Sequence, residues 1–125
     1  MAEQSKPPVN AVVRVPAVTI SRTSMEAIVG PLDRFEASKV SGFNYAQIGT
    51  SEDCAWSDVL ALIERVGPAL LGHVERGEVG RPSLDVAFFV QEDRVTASLL
   101  VPNDVVAAIG RFGFDLEASA YLASD

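Results

Sequence analysis

Reactive side chains are scarce in this sequence, which holds one cysteine, Cys54, and one histidine, His73. A lone cysteine cannot close an internal disulfide, and one residue of each kind cannot supply the common zinc sets of Cys and His. Catalysis through a Cys–His pair requires the two groups within hydrogen-bond reach. His73 follows Cys54 by nineteen residues, roughly 28 Å if the chain between them is helical. Cys54 therefore reads as a packing residue beside Trp56, and His73 as a partly exposed helix residue. No glycine-rich phosphate cradle is present: Gly110 and Gly113 follow a helical stretch, whereas anion binding uses a helix N-terminus. The acidic pairs Glu52-Asp53 and Glu92-Asp93 are adjacent and lack the alternate spacing of a calcium loop, so they read as solvated loop charges. Ser98 and Ser119 have no base beside them. Asp115 and Glu117 share a strand face, but nothing in the sequence buries them. These absences leave no catalytic residue, no metal and no cofactor to assign, and the reading is of a non-enzymatic protein.

Basic side chains are in the minority, ten against seventeen acidic ones for a net charge of −7, and the imbalance is uneven. Residues 51–125 carry thirteen acids and five bases, whereas residues 1–50 are nearly balanced. Such a domain repels phosphate backbones, which excludes nucleic acid as a partner and leaves a basic protein as a conceivable one. No apolar run reaches the roughly 20 residues that a membrane helix needs. Residues 1–8 are polar and end in Pro7-Pro8, without the apolar core of a signal peptide. The expectation is a cytoplasmic protein with no membrane contact.

With 125 residues, 48% of them hydrophobic, the chain is long enough for one core without staples. We read residues 1–8 as a disordered leader and residues 9–125 as a single domain. Val9, Ala11, Val13 and Val15 alternate until Pro16 interrupts them, which predicts an edge strand or a bulged one. A short helix over 25–29 follows Thr23-Ser24 and stops at Gly30-Pro31. Phe43, Tyr45 and Ile48 suggest a strand over 42–48. Trp56, Val59, Leu60, Ile63, Val66, Leu70 and Val74 recur at spacings of three and four, the stripe of a long amphipathic helix. Ser57 with Asp58, or Ser51 with Asp53, would cap that helix, and Pro68 should kink it or make it restart. Residues 84–91 and 94–101 are β-rich runs that read as a hairpin turning at Glu92-Asp93. A capped helix over 103–112 precedes Gly113, the position of a left-handed C-cap that folds Phe114 back on Ile109. Phe114, Leu116, Ala118, Ala120 and Leu122 then alternate with Asp115, Glu117, Ser119 and Tyr121 as a final strand.

Residues 42–122 thus spell strand, helix, strand, strand, helix, strand. The fold class this order defines is α+β, two-layer, a ferredoxin-like split βαβ antiparallel sheet with an added N-terminal strand and short helix.

The Trp56-led helix, Leu84-Asp85-Val86 opening a strand, and the ending Ile109-Gly110-Arg111-Phe112-Gly113-Phe114-Asp115-Leu116 before Tyr121 resemble domain-of-unknown-function family 4279, a group of small bacterial proteins. The resemblance covers residues 51–122, with an echo at Val29-Gly30-Pro31. It departs from the family at Ala120, where an acidic residue usually precedes the final Tyr. What it implies is a compact α+β domain; it implies no activity.

If the helices cover the sheet face holding Leu84, Phe88, Leu99 and Leu116, the other face presents Ala87, Phe89, Leu100 and Tyr121 among Asp85, Thr96, Ser98 and Glu117. A wholly solvated sheet face would be more polar. Either residues 9–30 fold over this face as ordinary core, or it is a contact surface. In the second case the candidate binding residues are Phe89, Ser98, Leu100, Glu117 and Tyr121. The surface suits a protein partner, an immunity-type contact with a basic protein being one form, or self-association as a homodimer. A small ligand of a regulatory domain, lying on the open face or at a dimer seam, is the alternative.

Overall fold

The computed structural model describes residues 10–37, 42–50, 54–91, 93 and 98–123. The expected leader over 1–8, Thr96, Glu92 and the Ser51/Asp53 cap lie outside them. Eight elements follow in order: β1 (Asn10–Val18), α1 (Arg22–Val29), β2 (Arg34–Ala37), β3 (Asn44–Gly49), α2 (Trp56–Glu75), β4 (Ser83–Gln91), α3 (Asn103–Arg111) and β5 (Asp115–Ala123). The class is α+β. A five-stranded mixed sheet, ordered β2-β3-β1-β4-β5, forms one layer, and α1 and α3 both pack against α2 in the other.

The alternation in β1 sets the sidedness of the sheet. Ala11, Val13 and Val15 are buried, while Val12 and Arg14 between them are partly open. Pairing carries this pattern across the layer, since Val13 lies opposite Ile48 on β3 and Leu84 on β4. The core gathers these residues with Ala46 and Val86 from the sheet, Met25 and Val29 from α1, Val105 and Ile109 from α3, and the α2 stripe Val59, Ile63, Val66 and Leu70. Burial of each larger member contributes roughly 2 kcal/mol.

β1 is a central strand, not an edge one. The interruption at Pro16 is absorbed by a bulge: Val15 pairs with Ala46 but Val18 pairs with Asn44, one residue too many on β1. Pro16 has no N–H for the ladder, and its carbonyl accepts from Gly80 N–H at 2.8 Å instead. α1 begins one turn earlier than the sequence suggests, because Ser21 is its N-cap and accepts from Ser24 N–H at 3.1 Å. β2, which the sequence did not announce, pairs antiparallel with β3.

α2 runs through Pro68 as one element of twenty residues and does not restart. Gly67 before it is buried because a Cβ there would stand 2.6 Å from the ring of Phe112, so the glycine lets the end of α3 approach α2. Of the predicted Ser57 and Asp58 pair, Asp58 takes part in the cap: Ala55 is the N-cap and the Asp58 carboxylate accepts from Ala55 N–H at 2.8 Å. After α3, Gly113 has φ 72° and Phe114 N–H bonds back to Ile109 carbonyl at 3.0 Å, the left-handed cap that the sequence indicates.

The predicted hairpin of 84–91 with 94–101 is corrected over its described part, since residues 98–101 form no strand. β4 pairs with β1 in antiparallel register over Ser83–Ala87 and with β5 in parallel register from Ser83/Asp115 to Gln91/Ala123. Residues 98–101 are irregular, and residues 94–97 lie outside the described ones. A parallel connection must leave the sheet and cross one face. The stretch before α3 belongs to that crossover, with Leu99 and Val101 packed against the core. The sheet is accordingly mixed rather than antiparallel. A split βαβ unit is present, but it is β3-α2-β4, and the strand inserted between its two parallel members is β1.

Candidate functional site on the open sheet face

The face away from the helices stays open in the described structure. Residues 10–29 do not fold over it: β1 lies within the sheet and α1 packs on α2. Side chains that alternate outward therefore meet each other across neighbouring strands.

They form a polar row over four strands. On β4, Asp85 is only 6% exposed, a charged group under a surface without a helix above it. Its Oδ2 accepts from Arg14 Nη2 at 2.9 Å, and its Oδ1 accepts from the Ser119 hydroxyl at 2.7 Å. Arg14 Nη1 donates onward to the Tyr45 hydroxyl at 2.9 Å and to Gln47 Oε1 at 3.2 Å, and Tyr45 itself donates to Gln47 Oε1 at 2.9 Å. The register explains the geometry. Gln47 is directly opposite Arg14, and Asp85 lies one diagonal step from it, two residues beyond its partner Ser83. Diagonal neighbours on one face are within reach of long side chains. The hydrogen bond to Asp85, and after it the one to Tyr45, pushes the Arg14 guanidinium further above its already high range. Arg14 and Asp85 form an ion pair at 2.9 Å.

An apolar patch adjoins this row. Phe89 on β4 and Tyr121 on β5 are register partners, and their exposures are 59% and 53%. Glu117 stands on the same face beside Asp85 and is exposed. Three of the five expected residues, Phe89, Glu117 and Tyr121, are thus brought together. Ser98 and Leu100 are exposed but belong to the irregular stretch before α3 instead of a strand beside Phe89. They leave the candidate set because residues 98–101 form no strand.

Arg14, Tyr45, Gln47 and Ser119 were missed by the sequence reading. Their outward positions could be read from alternation, but their convergence depends on a strand order that alternation does not encode.

Cys54, just before α2, is buried, and His73 lies in the last turn of the same helix. His73 Nδ1 is 3.2 Å from Glu78 Oε1, which also accepts from Arg76 Nε at 2.6 Å. A shallow cleft of about 290 Å³ lies on the helix side, between Gly49 and Thr50 on one wall and Asp58, Leu62 and Arg65 on the other. Among the described residues no three His, Cys, Asp or Glu side chains gather as metal ligands, and no helix is long and apolar enough to cross a membrane.

No family model, curated protein or solved structure matches this chain.

Proposed function

We propose that this chain is a non-enzymatic protein-interaction module that makes its contact through the open sheet face. One observation carries the reading: Phe89 and Tyr121 lie exposed side by side, next to a polar row whose members already satisfy one another. Burying two aromatic rings favours association, and aromatic residues dominate the energetics of protein contacts. The ordered Arg14–Asp85–Ser119 row presents fixed polarity with little conformational entropy left to lose. The acidic second half adds direction to the proposal, because it steers encounters with a basic partner. An immunity-type protein that neutralises a basic protein is the concrete form we favour, acting in the cytoplasm.

The test is retention of proteins from an extract of the source cells on the immobilised chain, wild type against Phe89→Ser, at low and high salt. A basic protein held by the wild type at low salt, released by salt and lost with Phe89→Ser is the expected result. Equal retention by both chains, or no retained protein, removes the reading.

A second reading, a regulatory domain with a small ligand on the same face, draws on Arg14. Its side chain is 36% exposed, and with Tyr45 and Gln47 it offers polar contacts beside the aromatic pair. Thermal-shift measurements against classes of metabolites separate the two, since a ligand of the folded state raises its stability.

A further inference from the structure

We propose that two copies of this chain join through β5, antiparallel and edge to edge about a two-fold axis at Ser119, to make one continuous ten-stranded sheet. This surface is the outer rim of the sheet, and the proposal does not depend on the open-face reading.

The two rims of the sheet are built differently. β2 has four residues and carries the ion pair Arg34–Glu36 at 2.6 Å, a short charged strand of the kind that discourages edge pairing. β5 has nine residues, Asp-Leu-Glu-Ala-Ser-Ala-Tyr-Leu-Ala, with no proline and no lysine. Among the described residues it is paired on one side only, with β4. Its other side presents roughly 30 Å of backbone donors and acceptors at about 3.3 Å per residue. Leu116 and Leu122, on the helix side of that rim, are 48% and 72% exposed, and Ala118 and Ala120 between them are exposed as well.

The identity of the partner follows from the symmetry of the sequence. Outward from Ser119, β5 reads Ala120 and Ala118, then Tyr121 and Glu117, then Leu122 and Leu116. An isologous contact requires each strand to complement itself reversed. With Ser119 facing its own copy, Leu116 meets Leu122 of the second copy and Ala118 meets Ala120, all on one face. On the other face Glu117 meets Tyr121, whose hydroxyl can donate to the carboxylate. No like charges oppose each other, although the chain carries −7. Asp115 is drawn to its own Arg81 at 3.6 Å, and Ser119 is held by its own Asp85. A slip of two residues would set Leu116 against Ala120 and lose the leucine pairs, so the pattern selects one register.

The experiment is molar mass by light scattering and sedimentation across a dilution series of the full chain. Wild type should reach twice the 13.3 kDa chain mass, while Leu116→Lys/Leu122→Lys should stay at the single mass with an unchanged circular dichroism spectrum. Separately, Leu116→Glu and Leu122→Lys should each weaken the dimer, and mixing them should restore it as a heterodimer, since the register places those positions together. A wild type that remains monomeric at the highest concentration reached overturns the proposal. So does a dimer that survives the double lysine substitution, or a mixture that gains nothing. Phe89→Ser, which removes an open-face ring and leaves the rim intact, should keep the wild-type mass. Loss of partner retention and loss of self-association are therefore separate results.

Discussion

Asp85 is the residue whose surroundings constrain the molecule most. A carboxylate taken this far from water is stable only when its charge and lone pairs are matched, and Arg14 and Ser119 do this from the two strands flanking β4. The two halves of the ion pair are not equivalent, because the Arg14 side chain is more than four times as exposed as that of Asp85. Removing the arginine strands a buried charge, whereas neutralising the acid leaves a guanidinium that can turn to solvent. Arg14→Met should therefore destabilise the fold by about 3 kcal/mol, near the lower end of the cost of breaking a buried pair, and Asp85→Asn by less. Urea unfolding of the two variants measures the order, and an equal or reversed cost would show that Asp85 is not held in the way described. The sequence disclosed only that both residues alternate outward. Leu84-Asp85-Val86 reads as a half-exposed strand with a solvated acid, and a partner 71 positions away leaves no local trace.

At the scale of elements, local punctuation was the legible part. Gly113 required a left-handed conformation and closed α3 where expected, and the stripe from Val59 to Leu70 gave the buried side of α2. Pro68 misled because proline is a general helix breaker, while here packing along the whole length holds α2 together. Gly67 shows that packing directly. Alanine would raise helix propensity by about 1 kcal/mol, yet its Cβ would overlap the Phe112 ring, and overpacking of that kind costs roughly 1–3 kcal/mol. Gly67→Ala should lower stability in the wild type and raise it once Phe112→Gly has cleared the space, because the Phe112 Cβ alone would stand 2.9 Å away; thermal unfolding of the two pairs reads the change of sign. The turn after α2 contributes to the pH dependence of stability. Glu78 is held below the usual carboxylate range, chiefly by the Arg76 hydrogen bond and less by His73, and its backbone carbonyl accepts from Thr19 N–H on the far side of β1. A lowered folded value means that the ionised form favours folding. That contribution is complete above the ordinary carboxylate range and is lost as the pH falls through the folded value. Glu78→Gln should thus be the less stable chain near neutrality, by a small and salt-sensitive margin because the pair is solvated, and should match wild type in acid. Paired urea titrations at several pH values check both limits.

For the whole molecule, alternation assigned the side chains of β1, β4 and β5 to faces correctly but could not assign strands to neighbours. The run over residues 84–91 looks equally ready to pair with the β-rich run that follows it and with strands far away in the chain. What decides is that β1, from the N-terminal end, lies between β3 and β4, so the sheet closes only when residues about 70 positions apart have met. Contacts of such separation are slow to form and join the sheet into one cooperative unit. β1 and β4 each have strands on both sides and helices over one face, whereas β2 has one neighbour and Arg34, Glu36 and Ala37 exposed. Amide hydrogen exchange should register this arrangement. Val13, Val15, Leu84 and Val86 should exchange only through global unfolding, at one common free energy, and the β2 amides through cheaper local opening. β5 should behave as two interleaved sets: amides directed at β4 protected at every concentration, and alternate amides on the rim slowing only as concentration rises. Uniform protection along β5 in dilute solution would mean that something within the chain already covers that rim, and the strand would then be an interior member of the sheet.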